Sequence, residues 1–311
     1  MENVLEVAQQ ESGLKSRRSA MLLGGAALAG LALSNSKPAA AQSTGVTDVD
    51  ILNFALNLEF LEAQFYAYAT TGAAYTGNIN SGDGNTKGGT VSIKSNPMVD
   101  FSSDPNLQAF AMEVAMDEAN HVAFLQSALN ASGANASVAM PNIDLMASFN
   151  TLAMAAGLGA TFDPFASAEN FLIGAFIFED VGVTAYQGAA PLISSTTYLD
   201  KALGIHLVEA YHAGAIRQRI FALGSPYTDY SQAIAATRAK LDGSSPADDI
   251  GVMVNGTGLT GSSTIVDSPT ANASLTTART TTQVLNIVYG STAAPPAPGV
   301  FFPAGMNGTI K

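Results

Sequence analysis

Glutamate stands three residues before histidine twice in this sequence, in Glu118-Ala-Asn-His121 and Glu209-Ala-Tyr-His212, and each pair lies inside a stretch patterned as a long helix. A spacing of three on a helix sets both side chains on one face, about 60° apart and roughly 4.5 Å along the axis, so each pair can grip one ion. The chain has only 3 histidines, and glutamate before two of them at the same spacing is far beyond chance. Two more helical stretches supply a glutamate with a matching neighbourhood. Glu59 follows Ala55 and precedes Tyr66; Glu179 stands in the same register between Ala175 and Tyr186. The repeat sets two Glu helices and two Glu-x-x-His helices about a pseudo-twofold axis.

The punctuation of the chain agrees. A first helix is expected over residues 48 to about 70, capped by Asp48 and stopped by Gly72; its polar stripe is Asn53, Asn57 and Gln64, while Leu52, Ala55, Glu59, Glu62 and Tyr66 fall on another side. Asp104-Pro105 opens a second, running to about 129. A third begins near Ser167 and is apolar around its whole circumference from Phe171 to Tyr186, which marks a buried helix. The fourth begins near Thr197, carries His206, Glu209 and His212, and closes at Gly224-Ser225-Pro226. Four long helices imply a bundle. Residues 73–103 are a Gly/Asn/Ser-rich insertion in which 90–93 reads as a hairpin or an irregular surface excursion, and 130–166 is a link long enough to cross the bundle. The predicted domains are an N-terminal signal over 1–41, the bundle over 42–240, and a Gly/Ser/Thr-rich extension over 241–311 with one helix over about 278–289.

The signal is read from Ser16-Arg17-Arg18-Ser19, a short apolar run from Gly24 to Leu33, and the small residues Ala39-Ala40-Ala41. This resembles a twin-arginine export signal cleaved after Ala41, and the apolar run is shorter than the roughly 20 residues a membrane span requires. The expected setting is periplasmic or extracellular, with no stable membrane span after cleavage. Only 12% of residues are charged, which suits that setting, and a net charge of −12 with scattered Lys and Arg offers no footprint for nucleic acid.

Chemistry narrows further. The chain contains no cysteine, so any metal must be bound through nitrogen and oxygen. A bare carboxylate in an apolar interior costs several kcal/mol or more, and Glu179 sits in a helix with almost no polar face. Lys and Arg are scarce near these positions, the nearest being Arg217 and Arg219. Metal ions are the natural counter-charge.

With these residues in hand, the chain resembles the ferritin-like carboxylate-bridged dimetal superfamily, and within it the exported ferritin-like proteins grouped with desiccation-related proteins. The phrases that carry the likeness are Asp50-Ile-Leu-Asn-Phe-Ala-Leu-Asn-Leu-Glu59-Phe-Leu-Glu62-Ala, Asp117-Glu118-Ala-Asn-His121-Val and Gln283-Val-Leu-Asn-Ile-Val-Tyr289-Gly. The resemblance implies a mainly α ferritin-like four-helix bundle with long inter-helix insertions and a C-terminal extension. It also implies two iron or manganese ions, with Glu118 and Glu209 bridging or capping them, His121 and His212 binding one each, and Glu59 and Glu179 as terminal carboxylates. Glu59 is favoured over Glu62 by the repeat, with Glu62 kept as an additional ligand. Asp117 and Asp180 are candidates to accept hydrogen bonds from ligating imidazoles or else to be solvated; His206, Tyr66 and Tyr186 are expected near the centre without ligating. The functions that follow are oxidation or disproportionation chemistry on Fe(II), peroxide or O2 in oxidative or desiccation stress, or a stress-protective envelope protein whose metals only stabilise the bundle. A monomer or small homo-oligomer is expected.

Overall fold

In chain order the elements are α1 (Asp48–Thr71), β1 (Val91–Ser92), α2 (Pro105–Ala131), β2 (Ile143–Asp144), α3 (Ala147–Ala155), α4 (Ala168–Ala189), α5 (Thr196–Leu223), α6 (Tyr227–Asp242) and α7 (Thr281–Tyr289). The computed structural model describes residues 45–131, 135–244, 248–254, 264–268 and 275–311, and the expected signal over 1–41 lies outside them. Helix α1 packs along α2 and α4 along α5, while α1 crosses α4, so α1, α2, α4 and α5 form the expected bundle. Every residue of α4 from Phe171 to Tyr186 is buried, as its unbroken apolarity requires. Phe65 of α1 anchors the contact, stacked on Phe171 at 5.6 Å and edge-on to Phe178 at 5.1 Å. No described helix is long and apolar enough to cross a membrane.

The helix ends follow their caps, with one correction. Thr47, not Asp48, caps α1 in a capping box with Asp50. Asp48 instead accepts backbone N–H bonds from Ser194 and Ser195, each at 2.8 Å, and so ties the start of α1 to the start of α5. Asp104 accepts from the Leu107 N–H at 2.9 Å, and Ser167 and Ser195 cap α4 and α5.

The insertions are more ordered than their composition suggests. Residues 90–93 form neither a hairpin nor an irregular excursion: β1 pairs in parallel with β2, Val91 opposite Ile143 and Ser92 opposite Asp144, which joins the insertion after α1 to the link after α2. That link also holds α3, and α6 follows α5 directly after Pro226. Neither helix is announced by a strong periodic pattern. Helix α7 begins at Thr281, three residues later than expected, because Thr280 and Gln283 make its capping box.

The polar stripe of α1 is buried and binds chain from elsewhere. Asn53 donates to Ala136 O and accepts from Val138 N–H, both at 2.9 Å. Asn57 exchanges two 2.9 Å bonds with the backbone of Asn307, clipping the C-terminal tail onto the bundle. Gln64 accepts from the Tyr75 N–H at 3.2 Å. These side chains do for irregular backbone what a sheet partner would otherwise do.

Candidate metal centre

Glu59 stands on α1, Glu118 and His121 on α2, Glu179 on α4, and Glu209 and His212 on α5, and all six are buried. The structure brings them together as two interlocked groups. One ligand atom from each of Glu59, Glu118, His121 and Glu209 lies within 4.8 Å of the others, and the same holds for Glu118, Glu179, Glu209 and His212. Glu118 and Glu209 belong to both groups. The two oxygens of Glu118 divide between them: Oε2 stands 3.2 Å from His121 Nδ1 and Oε1 stands 3.2 Å from His212 Nδ1. His121 Nδ1 also lies 3.2 Å from Glu59 Oε2 and 3.3 Å from Glu209 Oε1, and His212 Nδ1 lies 3.4 Å from Glu179 Oε2. The imidazole centroids are 6.4 Å apart.

The atoms that face this space are the ones left without partners. Glu59 Oε2, Glu118 Oε1, Glu179 Oε2, both Glu209 oxygens and His212 Nδ1 are buried with no well-aligned hydrogen bond beyond the imidazole–carboxylate approaches just given. Buried polar atoms are rarely orphaned, and here the orphans converge on one volume. A cation at each group answers all of them, so the residues present fit a pair of metal ions.

The outward-facing atoms are held in place. Tyr186 of α4 donates to Glu59 Oε1 of α1, and Tyr66 of α1 donates to Glu179 Oε1 of α4. Each tyrosine thus serves the glutamate of the other helix, leaving that glutamate's second oxygen directed inward. His212 Nε2 is 3.1 Å from Asp117 Oδ2, which fixes the proton on Nε2 and leaves Nδ1 as the donor atom toward the centre.

Electrostatics express the same crowding. Burial raises Glu118 to about 7 against the lowering hydrogen bonds from His121 and His212. Burial, then Glu118 and Glu179, push Glu209 well above the ordinary carboxylate range. Burial also pushes Glu59 up, but His121 opposite it, with hydrogen bonds from His121, Glu118 and Tyr186, holds it below its ordinary value. For His212 burial opposes the charge, yet bonds to Glu118 and Glu179 carry it up to about 12; His121 is raised further still, by Glu59 first. Without a metal the centre is held by protons on imidazoles, which sit where cations are wanted.

Other candidates fall elsewhere. Glu62 is buried beside the centre but belongs to neither group; burial, then the charge of Glu209 and Glu118, raise it well above the ordinary range. His206 is half-buried, lies against the Val183 backbone and belongs to neither group. Asp180, read as an imidazole partner or a solvated residue, is neither. It is buried and accepts from Arg217 at 2.7 Å and Arg238 at 2.9 Å. Its oxygen also groups with those of Asp249 and Asp267, but the guanidiniums of Arg217 and Arg238 already serve that cluster.

Two features of the site have no sequence signal of their own. The crossed tyrosine bonds follow from how α1 meets α4. Gly182 of α4 leaves room for a carboxylate that both donor groups share: a Cβ there would stand 2.6 Å from Glu209 Oε2.

Comparison with known proteins agrees with this geometry. A family model described as a ferritin-like domain matches residues 47–222, more than half of the chain. The chain is similar to the desiccation-related protein PCC13-62 of Craterostigma plantagineum, 29% identical over 220 residues, covering 67% of this chain and 66% of that one, just under two thirds of the relative's length. It is also similar to the ferritin-like catalase Nec2 of Nesocodon mauritianus, 26% identical over 276 residues, covering 85% of this chain and 84% of that one. No solved structure matches with comparable significance. The bundle, the four glutamates and two histidines at its centre, and the family match place this chain in the ferritin-like domain family.

Proposed function

We propose that the protein is an exported oxidoreductase in which Glu59, Glu118, His121, Glu179, Glu209 and His212 hold two iron or manganese ions, and which acts on peroxide, O2 or Fe(II) under oxidative or desiccation stress. The observation that carries this reading is the pair of interlocked donor groups sharing Glu118 and Glu209. Four carboxylates balance two divalent ions, and oxygen donors with one imidazole per ion suit iron or manganese better than copper. When bound, the ions supply electron transfer to and from peroxide, O2 or Fe(II).

The chain's own residues do the rest. Tyr66 and Tyr186 fix the terminal carboxylates, Asp117 orients His212, and the apolar walls exclude bulk water. Glu62 stands buried beside the centre, where a carboxyl can hand a proton to or from a reacting group. The names of the two relatives, a catalase and a desiccation-related protein, support a protective role against oxidants. The Arg17-Arg18 signal supports export to the periplasm or beyond as a folded monomer or small homo-oligomer.

The test is turnover. Protein without residues 1–41, loaded with iron or with manganese, is expected to disproportionate hydrogen peroxide or oxidise Fe(II), and Glu118→Ala is expected to abolish this. Loaded protein that consumes neither peroxide, O2 nor Fe(II), yet loses thermal stability on chelation, would show that the metals only staple the bundle.

A further inference from the structure

An apolar track runs along one face of α4 to the centre. An outer cavity of about 30 Å³ is lined toward the surface by half-buried Leu152, Leu158 and Leu241 and deeper in by Ile173 and Ile177. An inner cavity of about 20 Å³ lies beneath it, with Leu61, Val181 and Phe301 in its wall. The two share Ile177 of α4 and Ile287 of α7 as a common partition. The inner cavity ends at Glu62 and Gly182, and beyond the missing Cβ of Gly182 stands Glu209 Oε2, the shared carboxylate of both donor groups. Ile173, Ile177 and Val181 recur every four residues, so the track follows the helix, about 13.5 Å along its axis from Ile173 to Gly182.

From this geometry we infer that the track conducts dioxygen between the surface and the centre, with Ile177 and Ile287 as its constriction. This rests on the redox reading given above. Each cavity is large enough for one small molecule, but water requires two to four polar partners, and the inner cavity offers only Glu62 at its end. Peroxide and Fe(II) are strongly hydrated and do not cross such walls. Dioxygen is the one apolar species in this chemistry, as reactant in Fe(II) oxidation or as product of peroxide disproportionation. Asp117 lines neither cavity; its side chain is 31% exposed and bonds to His212, so it offers hydrated species a separate approach to the centre.

The experiment pairs krypton with Ile177→Trp. Crystals of the metal-free protein pressurised with krypton are expected to show the gas in both cavities, and Ile177→Trp to lose it from the inner one. In protein loaded with iron and reduced, the same variant is expected to slow reoxidation by O2 about tenfold while leaving reoxidation by hydrogen peroxide unchanged. Ile287→Phe narrows the same passage from α7 and replaces Ile177→Trp if that chain does not fold. No krypton in the inner wild-type cavity, or wild-type O2 kinetics in a folded narrowed variant, overturns the conduit. Metal content is measured separately: a chain that takes krypton but neither iron nor manganese overturns the reading of the centre, and the conduit's role with it.

Discussion

Gly182 shows how a residue without functional groups shapes the chemistry. Its missing Cβ is the space that Glu209 Oε2 occupies, and because the neighbour is the end of a flexible side chain, alanine displaces the carboxylate more readily than the helix. Gly182→Ala is therefore expected to fold with near-normal stability but to lose metal affinity about tenfold or more, as changes around a ligand commonly do; titration with Mn(II), with thermal melting alongside, reads both. That these six side chains share one centre was legible from spacing, because a helix converts an interval of three into a shared face and the repeat pairs Glu59 with Glu179. Their supports were not. The spacing of Tyr66 from Glu59 puts both on one stripe of α1, yet the tyrosine's hydroxyl bonds to Glu179 across the bundle, and only the crossing of α1 with α4 decides that. Asp180 misled for the same reason: its partners are arginines that the chain brings back from α5 and α6.

At the scale of elements, buried polar side chains join the irregular C-terminal chain to the helices. Asn57→Ala removes both bonds to Asn307 and leaves its backbone groups without partners, so a loss of about 1–3 kcal/mol in urea unfolding is expected. A second tie is the ionic network in which Arg217, Arg238 and Arg279 meet Asp180, Asp242 and Asp249. Asp267 lies against it, and burial, then Asp180 and Asp249, raise it from 3.8 to about 6. Between roughly pH 4 and 6 the folded chain therefore holds a proton that the unfolded chain has released. Stability from this group is full below that window and falls by about 3 kcal/mol as pH rises through it. Asp267→Asn should flatten that slope, so that its stability relative to wild type rises between pH 4 and pH 7 in parallel denaturant titrations. Cap residues made the bundle helices readable to within a residue or two, since Ser167, Ser195, Gly72 and Gly224 state their ends locally. The β1–β2 pair, α3 and α6 were not readable. Two-residue strands, the nine-residue α3 and the weakly patterned α6 draw their stability from the surfaces they cover, not from their own pattern.

For the molecule as a whole, four helices hold four carboxylates and two imidazoles in a volume that excludes water, an arrangement that is costly without cations. The fold is the scaffold that imposes this convergence, and the long insertions and C-terminal tail brace it from outside. The most direct measurement is the metal content of the purified protein, by elemental analysis, with Glu118→Ala and Glu209→Ala prepared in parallel. The account predicts about two iron or manganese ions per chain in wild type and far fewer in each variant, since each substitution removes a side chain common to both donor groups. Wild-type protein that carries no metal and takes up none, or variants that keep their full complement, would contradict it.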